Sequence, residues 1–105
     1  MIGNIFKLVR IANGLLVKQE VMENANVDAF TLRNLEEENA EPAFKTVSRL
    51  ADFYNLPIDK IVEFDRKQQE NNLDYQQTLE MILHYYNENP DRKEGFQKRI
   101  GNKKN

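Results

Sequence analysis

The stretch Val17–Asn39 constrains the fold of this chain most, because it has the pattern of two short helices joined by a tight turn. Its apolar residues recur at helical spacing on either side of the turn. Asp28 is a favourable N-cap for the second helix, since its carboxylate accepts hydrogen bonds from the free amides of the next turn. Asn26 stands in the turn, where Asn tolerates a left-handed backbone well. The predicted elements are a helix over 18–25, a turn over 26–28 and a helix over 29–38.

The residues before this stretch have the pattern of one more amphipathic helix. Its apolar face comprises Ile2, Ile5, Phe6, Val9 and Ala12. The pair Asn13-Gly14 is predicted to end the helix, because glycine readily adopts the left-handed conformation found at helix C-termini. Leu15 and Leu16 follow and are predicted to enter the core.

Two further helices are predicted after the paired ones, each introduced by a proline. Pro42 and Pro57 are expected to open them, since the missing amide of proline costs nothing in a first helical turn. The residues predicted to be buried on these helices are Phe44, Val47, Leu50, Ala51 and Tyr54, then Ile58, Ile61, Val62 and Phe64. Five short helices with short connections predict a compact α-domain over residues 1–65.

The remainder of the chain is predicted to form a second unit. Residues 66–72 are wholly polar and read as a linker or a frayed helix extension, and Leu73–Asn89 then carries one apolar stripe. A single amphipathic helix cannot bury its own stripe, so the segment either packs on its own domain or meets a second copy of the chain. We interpret residues 73–105 as an oligomerisation region with a basic tail. The predicted oligomerisation stripe is Tyr75, Leu79, Ile82, Leu83 and Tyr86.

The composition argues against several classes of protein. The chain has 105 residues, no Cys and one His, His84, so neither a disulfide nor a thiolate or histidine-cluster metal site is expected. The sequence offers no nucleophile–base arrangement and no phosphate-binding loop, and its carboxylates read as solvated helix faces. We therefore expect no enzymatic activity, no cofactor and no metal.

The apolar start of the chain does not predict a targeting or membrane segment. Lys7 and Arg10 interrupt it, and no small-residue cleavage pattern follows, so an amphipathic helix is the better interpretation. No run approaches the ~18 apolar residues that a membrane span needs. A cytoplasmic protein without membrane partners is expected.

Charge is distributed unevenly along the chain. Residues 1–65 carry seven Lys or Arg against eleven Asp or Glu, whereas residues 90–105 carry six basic and two acidic residues. An acidic globular part is unusual for a nucleic-acid binder. The basic tail over 92–104 would supply the attraction for phosphate that the acidic part lacks.

The ordered features of residues 2–64 resemble those of the Cro/phage-repressor (Xre-type) helix-turn-helix family. That family has an Arg near the end of its first helix, a Gly, a polar residue opening the second helix, a β-branched turn residue, a small hydroxyl in the third helix, an aliphatic pair followed by Glu, then Pro and Ala. The matching residues here are Arg10, Gly14, Lys18, Val27, Thr31, Leu32, Leu35, Glu36, Pro42 and Ala51. The resemblance covers about 63 of 105 residues. It implies an all-α, five-helix lambda-repressor-like domain plus a C-terminal amphipathic helix.

The resemblance also implies roles for particular residues. Arg10 and Glu36 match a structural pair that joins the first helix to the end of the third. Lys18, with help from Gln19, would approach the DNA backbone, and Thr31 would lie near a phosphate. The positions that would face the major groove are Ala29, Phe30, Arg33 and Asn34.

The chemistry of these groove-facing residues is uneven. Arg33 can hydrogen-bond to guanine or a phosphate, and Asn34 can pair with adenine. Ala29 and Phe30 can contact only thymine methyls or sugar edges, and Phe30 equally well packs on a protein partner.

The chain departs from the family pattern at several acidic and turn positions. Asn26 replaces the usual turn glycine, Met22 replaces a small residue, and Glu38 stands where Gly is expected. In the usual docking Glu37, Glu38 and Glu41 would lie near phosphates.

Two functions are consistent with the sequence. The first is a sequence-specific DNA-binding regulator, expected to repress, that acts on double-stranded DNA as a homodimer with its third helix in the major groove. The alternative is a protein-interaction module on the same fold, an antirepressor or a subunit that binds a regulatory protein or peptide. Phe30 and the acidic run Glu36–Glu38 favour the alternative.

Overall fold

A computed structural model describes residues 2–14, 18–38 and 40–96, and these residues form helices and connections without a β-strand. The predicted all-α class is confirmed. The helices are α1 (Ile2–Ala12), α2 (Lys18–Ala25), α3 (Ala29–Glu36), α4 (Phe44–Phe53), α5 (Ile58–Glu70), α6 (Tyr75–Glu88) and α7 over 90–96. The predicted core positions Leu15 and Leu16, and the tail from 97 to 105, lie outside the described residues.

Residues with a left-handed backbone follow several of these helices. The φ angles are +75° at Gly14, +57° at Asn26, +57° at Asn55 and +50° at Asn72. The left-handed conformations predicted at Gly14 and Asn26 are therefore confirmed, and Asn takes the place of glycine at three of the four positions. The turn at Asn26 is also tied to α4, because Arg49 Nη1 donates a hydrogen bond to its carbonyl oxygen at 3.0 Å.

The central helix of the core is α1, which packs against α3, α5 and α6. Ile5, Phe6 and Val9 from its predicted apolar face are each at most 1% exposed. Leu8, which the predicted face did not include, is also buried at 2% exposure and lines a surface depression beside Tyr75 of α6. The apolar face of α1 is thus wider than one stripe, and a helix of this kind needs partners on several sides.

The start of α4 and one face of α5 differ from the sequence prediction. The N-cap of α4 is Ala43, so Pro42 lies outside the helix, and Phe44 is 75% exposed. A residue in the first turn has no preceding turn to enclose it, so helical spacing alone does not bury it. Val62 is 50% exposed because it lies about 100° round α5 from the buried Ile61.

The predicted linker at 66–72 is helical through Glu70, as the last turns of α5. Its charged side chains pair along the helix: Arg66 Nη1 lies 3.0 Å from Glu70 Oε2, and Lys67 Nζ lies 3.1 Å from Glu63 Oε1. Such pairs four residues apart stabilise an exposed polar helix. The polar composition therefore marks a solvent-facing helix and not a boundary between two units.

The next helix, α6, packs on α1 and α5 of its own chain. Ile82 and Tyr86 from the predicted oligomerisation stripe are 0% and 3% exposed, and the Tyr86 hydroxyl accepts a hydrogen bond from Asn13 Nδ2 at 3.0 Å. Leu79 and Leu83 are half-buried against the same core, and Tyr75 is 53% exposed. The prediction of a separate packing unit is wrong, because the wide apolar face of α1 covers most of this stripe.

The described part of the C-terminal region also docks on the core. Phe96 is 2% exposed, with its ring centroid 5.1 Å from that of Phe53 and 5.9 Å from that of Tyr54. Asn55 Nδ2 donates to the carbonyl oxygen of Arg92 at 3.1 Å, which joins α7 to the α4–α5 connection. Within residues 2–14, 18–38 and 40–96, no helix has the length and hydropathy needed to cross a bilayer.

Candidate functional site

The candidate site is the outer face of α3 together with the start of α2. Leu32 and Leu35 are buried at 1% and 2% exposure and fix the inner face of α3. The outer face carries Ala29, Phe30 and Arg33, all exposed. The residues predicted to face the major groove therefore lie together on an accessible helix surface, with Asn34 half-exposed beside them.

The first turn of α3 is held by its cap. Asp28 Oδ1 accepts a hydrogen bond from the Thr31 amide at 2.7 Å, and Asp28 Oδ2 accepts one from the Thr31 hydroxyl at 3.0 Å. These bonds lower the pKa of the Asp28 carboxyl, with the Thr31 amide as the largest cause. The predicted phosphate contact of Thr31 would have to compete with Asp28, because the hydroxyl proton is already donated.

The far end of α3 is tied to α1 by a buried ion pair. Arg10 Nε lies 3.1 Å from each Glu36 carboxylate oxygen, and Arg10 Nη2 lies 3.0 Å from Glu36 Oε1. The Glu36 side chain is fully buried, and a buried charge is tolerated only when it is paired. Burial, with the Glu36 charge adding to it, raises the pKa of Tyr54 well above its ordinary value. Arg10 and Glu36 thus have the structural placement that the resemblance implies.

At the surface, the residues predicted to approach the DNA backbone are already engaged by carboxylates. Lys18 Nζ forms an ion pair with Glu37 Oε1, and Gln19 Nε2 donates to Glu23 Oε1 at 2.9 Å. The hydrogen bond from Lys18 is the largest cause of a lowered pKa at Glu37, followed by the charge of Lys18, with that of Arg33 contributing further. The positive charge at the start of α2 is therefore neutralised within the protein.

One aromatic side chain, Phe30, lies at the other edge of the outer face of α3. The Arg33 guanidinium carbon lies 5.8 Å from the centroid of the Phe30 ring, within the range of a cation–π contact. Phe30 is 66% exposed. A shallow groove runs from there towards α4, lined by Phe30, Thr31, Asn34, Leu35, Ala40, Glu41, Pro42, Ala43 and Thr46.

Sequence reasoning missed two features of this site. The Lys18–Glu37 pair joins residues 19 positions apart, and no periodicity within either helix indicates it. The exposure of Phe44, which follows the groove residue Ala43 in the chain, was also missed, since its position suited a buried stripe. Among the described residues, no group of three or more His, Cys, Asp and Glu side chains is placed to hold a metal ion.

The sequence matches no protein-family model, and neither curated proteins nor solved structures gave a match. The resemblance to the Cro/phage-repressor family is therefore carried only by the residues quoted above.

Proposed function

We propose that this protein is a sequence-specific DNA-binding transcriptional regulator that inserts α3 into the major groove. The observation that carries the proposal is the two-sided character of α3. Leu32, Leu35 and Glu36 hold one side in the core, and Arg33 with its neighbours is presented to solvent on the other. An α-helix held in this way has the dimensions that fit the major groove of B-DNA.

The exposed side chains of α3 have chemistry suited to base edges. Arg33 donates two hydrogen bonds to the O6 and N7 of guanine in the commonest specific contact, and Asn34 pairs with adenine in a similar way. The Asn34 side chain is available for this role, since it makes no hydrogen bond to another described residue. Phe30 adds an apolar surface for a thymine methyl.

The regulator is proposed to act as a homodimer on two half-sites about one helical turn apart. Ile82 and Tyr86 of the α6 stripe are buried within the chain, so these two side chains are not available to the dimer. Sedimentation of the full chain tests the stoichiometry independently of DNA. An inverted repeat in the bound DNA would support two copies, and a single half-site would not.

The direct test is selection of genomic fragments with the purified full chain, followed by binding measurements on an enriched duplex. Arg33→Ala is expected to weaken binding by about 1–3 kcal/mol and to relax the preference at one base position. Arg66→Ala is the matched control, because it removes an exposed arginine on α5. Equal losses of DNA affinity in the two variants, or a selection that enriches no fragment at low salt, would contradict the proposal.

A second function, binding of a protein partner, is favoured by one observation. Phe30 and Phe44 are 66% and 75% exposed, and Phe30 borders the groove between α3 and α4. Exposed aromatic side chains of this kind are enriched in protein interfaces. Fragment selection separates the two functions, because a surface that binds only protein would enrich no DNA sequence.

A further inference from the structure

The acidic residue Glu37 occupies an unusual place, at the end of the helix that we propose enters DNA. Its carboxylate forms an ion pair with the ammonium group of Lys18 at the start of α2. Both side chains reach solvent, with 32% of Lys18 and 49% of Glu37 exposed. Arg33, one turn earlier on α3, and Lys7 on α1 also act electrostatically on Glu37.

The stability of α3 does not explain this carboxylate. Glu37 is the C-cap of α3, and a negative charge is unfavourable at the C-terminal end of a helix. An ion pair between exposed side chains also contributes little to folding, because water and salt screen it. The fold itself is held by buried contacts such as those of Arg10 and Glu36. The Lys18–Glu37 pair is therefore better explained by what the surface binds.

We propose that Glu37 is an intramolecular clasp that holds Lys18 away from DNA phosphates and so limits the affinity of the protein for DNA. The inference rests on the proposed function, since it gives a role to a residue inside the same DNA-binding face. A phosphate that approaches Lys18 has to displace a carboxylate that carries the same sign of charge. While Lys18 stays paired with Glu37 it neutralises no phosphate, so it releases no counterion condensed on the DNA, as a free lysine in contact with a phosphate would.

The experiment compares the full chain with Glu37→Gln, which keeps the size of the side chain and removes its charge. Fluorescence anisotropy is measured on a labelled duplex from the fragment selection and on a random-sequence duplex of the same length. Salt is varied from about 50 to about 200 mM, where phosphate contacts change affinity strongly. Glu38→Gln is the matched control, because it removes the same charge one residue later and Glu38 forms no ion pair with a described residue.

With the clasp removed, Glu37→Gln is expected to bind both duplexes roughly three- to tenfold more tightly at low salt. The dependence of log Kd on log salt should steepen by roughly 0.9, the change expected for one added phosphate contact. Glu38→Gln should give a clearly smaller gain in affinity, since it removes charge repulsion near the phosphates but frees no lysine. Adding Lys18→Ala to Glu37→Gln should abolish the gain in affinity for DNA.

Several results would overturn the clasp. Equal gains from Glu37→Gln and Glu38→Gln would mean a general charge effect, and a gain that persists without Lys18 would mean that Glu37 acts elsewhere. A parent that binds DNA while Glu37→Gln leaves its affinity unchanged refutes the clasp alone. If neither protein binds either duplex at the lowest salt, the clasp and the proposed function both fail. Thermal melting by circular dichroism checks that all variants remain folded.

Discussion

The buried pair of Arg10 and Glu36 allows a sharp prediction about stability. We consider Arg10→Met, which removes the guanidinium and keeps a side chain of similar length in the core. The three contacts of 3.0 to 3.1 Å that hold the Glu36 carboxylate are lost. Because that side chain has no exposed surface, its charge is left buried without compensation, which costs about 3–5 kcal/mol. The loss is a large part of the roughly 5–15 kcal/mol by which a small domain is stable.

The control is the double variant Arg10→Met, Glu36→Met, in which no charge remains in the core. Replacing a buried ion pair with apolar residues of similar volume is often neutral, or stabilising by about 1–4 kcal/mol. The double variant should therefore recover most of the stability that the single variant loses. Arg66→Met removes one partner of an exposed pair instead and should cost less than about 1 kcal/mol.

Urea unfolding followed by circular dichroism at neutral pH measures these differences. With a slope of about 1–2 kcal/mol per molar for a domain of this size, the midpoint of Arg10→Met should fall by roughly 1.5–5 M. An Arg10→Met protein that unfolds at the midpoint of the parent would refute the reasoning. So would a double variant as unstable as the single one, because the loss would then not come from an unpaired charge.

Three further predictions concern α7, the α3 cap and α6. Gly95→Ala should leave the stability nearly unchanged, because the added Cβ would lie 2.6 Å from Asn55 Nδ2 and displace it from the Arg92 carbonyl oxygen, a loss of about 1 kcal/mol that offsets the roughly 1 kcal/mol by which alanine is favoured over glycine in a helix. A Gly95→Ala protein with a clearly higher urea midpoint than the parent would argue against close docking of α7. Asp28→Ala should be less stable than the parent at neutral pH, and the difference in stability should vanish in acid. The pKa of the Asp28 carboxyl lies below its ordinary 3.8 in the folded protein, so the ionised carboxylate stabilises the fold above pH 3.8 and this stabilisation is lost as the pH falls through the lowered pKa. A difference that persists in strong acid would exclude the cap as its cause. Ile82→Asp should unfold the chain and not merely dissociate a dimer, because Ile82 is 0% exposed; a folded monomer by circular dichroism and sedimentation would contradict the packing of α6.

The sequence by itself determined the features of this protein that depend on near neighbours in the chain. The bounds of α1 and α2, the cap at Asp28 and the left-handed residues Gly14 and Asn26 were all predicted. Backbone conformation at a turn and the bonding of a helix end depend on a few adjacent residues, so a local pattern suffices for them. The contact between Arg10 and Glu36 was anticipated as well, but only through a family resemblance.

The tertiary structure alone decided which surfaces meet. Periodicity identified the apolar face of α6, yet burial is favourable against any apolar surface, so the pattern did not specify whether α1 or a second copy would cover it. Leu8 makes the apolar face of α1 wider than the predicted stripe, and α6 packs against α1. The Lys18–Glu37 pair arose in the same way, because the packing of α3 beside α2 brings together two side chains that no local pattern relates.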